Sequence, residues 1–195
     1  VETVGEPHLR KLLDSFFGDE RFAGQFKRAP ASACRHRPYV GGNLEHTLAV
    51  AKTCNLLYNA ACQELDRDLL VTAALLHDAG KIREYVLTTS IDRSDEGKLL
   101  GHVSLSERMV SQKISRIDAF PETLRLKLCH LILAHHARAD GDVLVGVKTP
   151  EAAALNRADE LDIVVNQMAR AAARGEMTKD DWAYDRALGH DIYLK

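Results

Sequence analysis

Residues 66–81, DRDLLVTAALLHDAGK, are apolar on nearly every side and then end on a histidine and an aspartate. A helix without a polar face has nothing to show to water, so it belongs at the centre of a bundle. The helix opens at Asp66 and ends at His77-Asp78, just before Gly80. The pair His77-Asp78 therefore arrives inside the core. A buried polar group left without a partner costs about 1–3 kcal/mol. Something in the fold must answer an imidazole and a carboxylate at that point. The segment predicts an all-α helical bundle around a central helix whose end delivers polar ligands.

The rest of the chain supplies helices to surround it. Residues 7–17 read as a short amphipathic helix with proline near its start. Residues 21–40 read as a loop-rich connector with two prolines, five basic residues (Arg21, Lys27, Arg28, Arg35, Arg37) and no acid. Gly41-Gly42-Asn43 is a break and a cap, and a helix then runs to about Cys62 with Leu44, Leu48, Ala51 and Leu57 among its apolar positions. Val86–Ile91 has strand character and Asp95-Glu96-Gly97 reads as a turn, so a short hairpin or ordered loop is expected near 85–100. Helices follow at about 102–117, from Pro121 to His135-His136, and from Pro150 to about Ala173. Between the last two, 138–149 is a loop. The expected organisation is an N-terminal helix and basic connector over 1–40, the bundle over 41–175, and a polar C-terminal tail over 176–195 packed on the bundle. No internal repeat or low-complexity tract is present.

Composition narrows the class. The chain has 195 residues, 46% hydrophobic but only 6% aromatic, which favours aliphatic helices over a sandwich or barrel. Its 26 basic and 28 acidic residues leave a net charge of −2, so nucleic acid has no global positive field to meet and needs a local patch. No apolar run approaches a membrane span, and no secretory pattern is present. Cys34, Cys54, Cys62 and Cys129 form no CxxC pair and read as reduced, mostly core thiols of a cytoplasmic protein.

Further candidate ligands sit where helices begin or end. His46 is in a first turn, His102 opens a helix after a glycine, and His135-His136 close one. Asp159 lies mid-helix among alanine and leucine. Taken singly each is ordinary: a capped histidine, a helix-terminal histidine, a solvated aspartate. Four helices converging by their ends would present them to one cavity, a common way to build a metal site in a bundle. Imidazole with carboxylate suits borderline divalent cations. A second His-Asp pair, His190-Asp191, lies in the polar tail and is given no role.

The ordered set H…HD…H…H…D resembles the HD superfamily of metal-dependent phosphohydrolases. The strings APASACRHRPYVGGNLEHTLAVA, LLVTAALLHDAGKIREY, DEGKLLGH, LILAHH, TPEAAALNRADELD and WAYDRALGHDIYLK are similar to those of the YhaM-type 3′–5′ exoribonucleases, over about residues 10–195. The resemblance implies an HD-domain bundle and two divalent ions, manganese first, with Fe, Mg, Co, Ni or Zn as alternatives. It implies His46, His77, Asp78 and Asp159 around one ion. His102 and His135 complete the second, with Asp78 bridging. His136 either replaces His135 or lines the substrate pocket. Lys81 contacts a phosphate oxygen, so Asp78 and Lys81 are the candidate catalytic residues. Arg35, His36 and Arg37 border the pocket with Lys81 and His136. The implied activity is phosphodiester hydrolysis on single-stranded RNA or short oligonucleotides from the 3′ end. The alternatives are a nucleotide phosphohydrolase or cyclic (di)nucleotide phosphodiesterase, and a non-catalytic nucleotide-binding module. Two departures stand out. The family usually has two histidines where this chain has Arg35-His36. It also commonly carries an OB-type domain ahead of the HD domain, for which residues 1–40 are too few.

Overall fold

The computed structural model describes residues 2–34, 36–61, 64–137, 145–175, 181–185 and 189–193. Its architecture is mainly helical, with two small hairpins. Helix α1 spans Pro7–Phe17, with proline at its start and Glu6 capping it through the amide of Leu9. Leu9, Leu12, Leu13 and Phe16 recur at helical spacing and are buried. Helix α2 spans Glu20–Arg28. This corrects the connector expected over 21–40. Asp19 accepts from the amides of Arg21 and Phe22, and Phe22 and Phe26, one turn apart, are buried and stacked. The prolines that signalled a loop lie beyond the helix, which ends in extended backbone at Ala29 just before Pro30.

Helix α3 is Gly42–Ala61 and α4 is Arg67–Leu76. In α4, Leu69 to Ala74 and Leu76 are all buried, as its apolar circumference requires. Asp66 caps it, 3.0 Å from the amide of Leu69. The short α5, Lys81–Glu84, leads into an antiparallel hairpin of β1, Tyr85–Leu87, and β2, Ile91–Arg93. The hairpin lies where strand character was expected. Asp95-Glu96-Gly97 is not a turn: it is the first turn of α6, Asp95–Ile114, capped by Ser94. Two acids and a glycine resemble a turn, yet acids after a serine cap suit a helix N-terminus equally well. Gly101 has φ 70° inside α6 and breaks it, so His102 does open a helical segment.

Helix α7 is Glu122–Ala134 and α8 is Pro150–Gly175. A second antiparallel hairpin, β3 Trp182–Asp185 with β4 His190–Tyr193, sets Ile192 against Ala171 of α8. The predicted loop at 138–149 lies largely outside the described residues, as do parts of the tail. Helix α4 packs against α1, α3, α7 and α8. One apolar cluster joins Leu9 and Phe16 of α1, Phe22 and Phe26 of α2, Leu70 and Leu76 of α4, Leu131 of α7 and Leu155 of α8. Cys54 and Cys129 are buried free thiols, Cys34 is exposed, and Cys62 lies outside the described residues. Among the described residues no helix is long and apolar enough to cross a membrane.

The turn after α4 is pressed against α6. A Cβ at Gly80 would lie 2.3 Å from the carbonyl of His102 and 2.6 Å from the amide of Ser106. Only glycine allows that approach. The Gly80 amide donates to Ser106 Oγ at 2.8 Å. The contact places the start of the second half of α6 beside the end of α4.

Candidate metal centre

The bundle brings His46 of α3, His77 and Asp78 at the end of α4, His102 of α6, His135 and His136 at the end of α7, and Asp159 of α8 into one polar cluster. His46, His77, Asp78, His135 and Asp159 are almost completely buried. Two groups of ligand atoms lie within 4.8 Å of one another: those of His46, His77 and Asp159, and those of Asp78, His102, His135 and His136. Asp78 stands between them. Its Oδ2 is 3.4 Å from His46 Nε2 and 3.2 Å from His77 Nε2, while its Oδ1 is 3.4 Å from His102 Nε2 and 3.9 Å from His135 Nε2.

The histidines share one orientation. His77 Nδ1 donates to the carbonyl of Ala74 at 2.8 Å, and His135 Nδ1 to that of Ile132 at 2.6 Å. His46 Nδ1 faces Asp162 Oδ2 at 2.7 Å, and His102 Nδ1 faces Glu84 Oε2 at 2.9 Å. A carbonyl or carboxylate oxygen only accepts, so each Nδ1 carries a proton, and each Nε2 points inward, where a neutral ring offers its lone pair. His46 Nε2 and His77 Nε2 face each other at 3.3 Å. With both rings neutral, two Nε2 atoms at that distance would be completed by a positive centre between them. The carboxylates say the same. Asp78 Oδ1, Asp159 Oδ1 and His135 Nε2 are buried without a hydrogen-bond partner, although Asp159 Oδ1 lies 2.9 Å from His46 Nε2. Orphaned oxygens and nitrogens that converge, each ring steered from behind by a second partner, fit a divalent cation.

Charge states agree with that reading. Burial pushes the Asp78 and Asp159 carboxyls up, but neighbouring charges outweigh it and hold both well below the usual range: Lys81 and His77 for Asp78, His136 and His46 for Asp159. Burial lowers His102, and lowers His135 strongly, which keeps these rings neutral. His46 goes the other way. Burial opposes its charged form, but Asp159 and Asp162 overcome this and raise it. Ionised Asp78 and Asp159 with neutral His102 and His135 are in the protonation states that bind metal, and His46 would have to release a proton to join them.

The remaining predicted residues fall at different places. Lys81 is buried with its Nζ 2.6 Å from Asp78 Oδ2. His136 is 39% exposed, with Nδ1 3.0 Å from Asp159 Oδ2 and Nε2 3.1 Å from His102 Nε2. His36 is buried with its ring against His46 and its Nε2 unpartnered; burial drives it down to about 3. Arg37 lies one contact outside the cluster: its guanidinium grips the Asp162 carboxylate that also faces His46, and its Nε lies 3.7 Å from Glu45. Arg35 lies outside the described residues. His190 is exposed on β4, away from the cluster.

Sequence reasoning passed over several contributors. Asp162 orients His46, Glu84 faces His102, and Asn156 Nδ2 donates to the carbonyls of His135 and Ala137 at 2.7 and 3.0 Å, holding the end of α7 against α8. The available signal was spacing: Asn156, Asp159 and Asp162 recur every three residues along one face of α8.

A family model described as HD domain matches residues 43–164. Among curated relatives, a protein named 3′-5′ exoribonuclease YhaM from Shouchella clausii is 33% identical over 193 residues, covering 93% of this chain and 57% of its own length. Those of the same name from Bacillus subtilis and Oceanobacillus iheyensis are 33% and 29% identical over 185 residues, covering 92% of this chain and 57% and 56% of theirs. The chain thus spans a little over half the length of these relatives. No solved structure matches it.

Proposed function

The chain belongs to the HD domain family, and from that premise we propose that it is a metal-dependent phosphodiesterase that shortens single-stranded RNA or short oligonucleotides from the 3′ end. The observation that carries the reading is the inward convergence of histidine Nε2 atoms and the buried Asp78 and Asp159 carboxylates into two groups of ligand atoms. The substrate class follows from the exoribonuclease relatives that the chain resembles.

His46, His77 and Asp159 would hold one ion, and His102 and His135 the other, with Asp78 standing between the two sets. His135 is the better ligand of its pair, being buried with Nδ1 already steered by Ile132. The more exposed His136 then faces the substrate. Manganese fits a mixed imidazole and carboxylate set, as do iron, cobalt, nickel and zinc. Bound there, such ions polarise a phosphoryl oxygen and lower the pKa of water. The protein's part is positioning. Asp78 holds the buried Lys81 beside the centre, where its ammonium could pass to a phosphate oxygen and offset developing charge. Glu84 and Asp162 keep His102 and His46 from turning.

The test is cleavage of a 5′-labelled short single-stranded RNA with Mn²⁺, with Asp78→Asn and a nucleotide panel alongside. The expected result is a ladder shortened from the 3′ end by the parent, and none from the variant at unchanged helicity. Turnover of nucleoside monophosphates or cyclic dinucleotides without a ladder would move the substrate to small nucleotides. Full activity in Asp78→Asn would remove the metal centre from the chemistry.

A further inference from the structure

Lys81 belongs to two neighbourhoods. It touches Asp78 inside the metal centre, and it also lines a groove of about 560 Å³ between α2 and the α5–β1 segment. Lys81 is the residue that the groove shares with the centre, standing between the groove floor and Asp78. One wall is α2, where Arg21, Gly24, Gln25 and Arg28 recur at helical spacing and are exposed. The opposite wall is apolar, built from Ile82, Tyr85 and Leu87. One acid, Glu20, stands at the edge. Among the described residues no carboxylate pairs with Arg21 or Arg28. They stand two helical turns apart, roughly 10 Å along the axis, so they can serve separate phosphates.

Gly24 lies between them. A Cβ there would meet nothing within 4 Å. The helix packing does not need this glycine, and glycine weakens a helix interior. Its absent side chain leaves the middle of the α2 wall open to the groove.

We propose that this groove is the track for the nucleotides next to the scissile phosphate. Arg21 and Arg28 take phosphate oxygens, and the wall of Ile82, Tyr85 and Leu87 receives the bases. A polyanion that carries flat apolar rings is the ligand that a cationic wall facing an aromatic and aliphatic wall recognises. A chain of net charge −2 also needs such a local patch to hold nucleic acid at all. The assignment rests on the phosphodiesterase reading above and names its substrate path.

The experiment compares kcat/KM for a short single-stranded RNA with kcat/KM for bis(p-nitrophenyl) phosphate, both with Mn²⁺. The small ester reaches the metal centre without filling the groove. The variants are Arg21→Glu/Arg28→Glu, which reverses the cationic wall, and Gly24→Leu, which fills the groove while favouring the helix. The expected result is a fall of about tenfold or more in the RNA-to-ester ratio for each, with a melting temperature for Gly24→Leu no lower than the parent's. Arg125→Glu, on the exposed face of α7, keeps the parent ratio. A ratio held within about twofold in either groove variant overturns the track while leaving the phosphodiesterase reading in place. A parent inert on both substrates overturns that reading and the track with it.

Discussion

Asp162 sits one turn beyond Asp159 on α8 and reaches His46 from behind, its Oδ2 2.7 Å from Nδ1. The same carboxylate holds the Arg37 guanidinium. Removing it would free the His46 ring to turn its lone pair away from the cluster. Loss of such an outer partner typically weakens metal binding by about 10–100-fold. Asp162→Ala is therefore expected to lower Mn²⁺ affinity by about that factor at unchanged helicity, measured by metal titration with circular dichroism as the control. Unchanged affinity would mean that Asp162 does not set the orientation of His46. The contrast between Asp159 and Asp162 shows what was legible in the sequence at this scale. A ligand such as His77 or Asp159 declares itself by standing among alanine and leucine. An orienting carboxylate such as Asp162 or Glu84 looks like any charge on an amphipathic helix, and only the fold reveals that it faces inward. Arg37 reads as a substrate contact because it is basic and precedes the His46 helix, and the fold adds a partner that the sequence does not show, the Asp162 carboxylate.

Between elements, the tightest approach is that of the α4–α5 turn to α6. Gly80→Ala would drive a Cβ into the His102 carbonyl and the Ser106 amide, both backbone atoms that cannot swing aside. Overpacking of this kind costs typically about 1–3 kcal/mol. For a chain of this size that is roughly 2–12 °C in melting temperature. Because the strained segment of α6 carries His102, Gly80→Ala should also weaken metal binding. Asp66→Ala separates the two effects. It removes the cap of α4 at the far end from the metal centre, so it should cost about 1 kcal/mol of stability with metal affinity kept. Thermal melts and metal titrations on both variants check this. If Gly80→Ala melts like the parent, the contact is looser than the distances state. Helices α1, α3, α4, α7 and α8 were legible because each repeats apolar residues over three turns or more, as in Leu9, Leu12, Leu13 and Phe16. Helix α2 has only two buried positions, Phe22 and Phe26, and its basic residues and the following Pro30 mask so short a pattern. The start of α6 was hidden by Asp95-Glu96-Gly97, whose composition serves a turn and a capped helix alike.

The proposed metal centre would draw ligands from α3, the end of α4, α6, the end of α7 and α8, so a cation there would tie these helices together and be held only in the folded state. At a metal concentration about 100 times Kd, binding to the native state alone adds about 2.7 kcal/mol. That should raise the melting temperature by roughly 5–11 °C over the same protein in EDTA. His46 gives the effect a pH dependence whose sign can be worked out. Its folded pKa is raised above the ordinary 6.5 by Asp159 and Asp162. In EDTA the protonated ring therefore contributes stability that is fully present below 6.5 and is lost as pH rises through the raised value. With metal the requirement reverses, because the ligand must be the neutral ring. Protons compete with the ion at low pH and leave as pH rises. Both trends act in the same direction, so the gap in melting temperature between Mn²⁺ and EDTA should widen from about pH 6 to about pH 8. Asp159→Asn should shrink the gap at every pH, since it removes a ligand and a main cause of the His46 shift together. Melting curves across that range, with and without chelator, decide the matter. A gap that stays constant or narrows as pH rises would show that His46 does not bind the ion through a neutral ring.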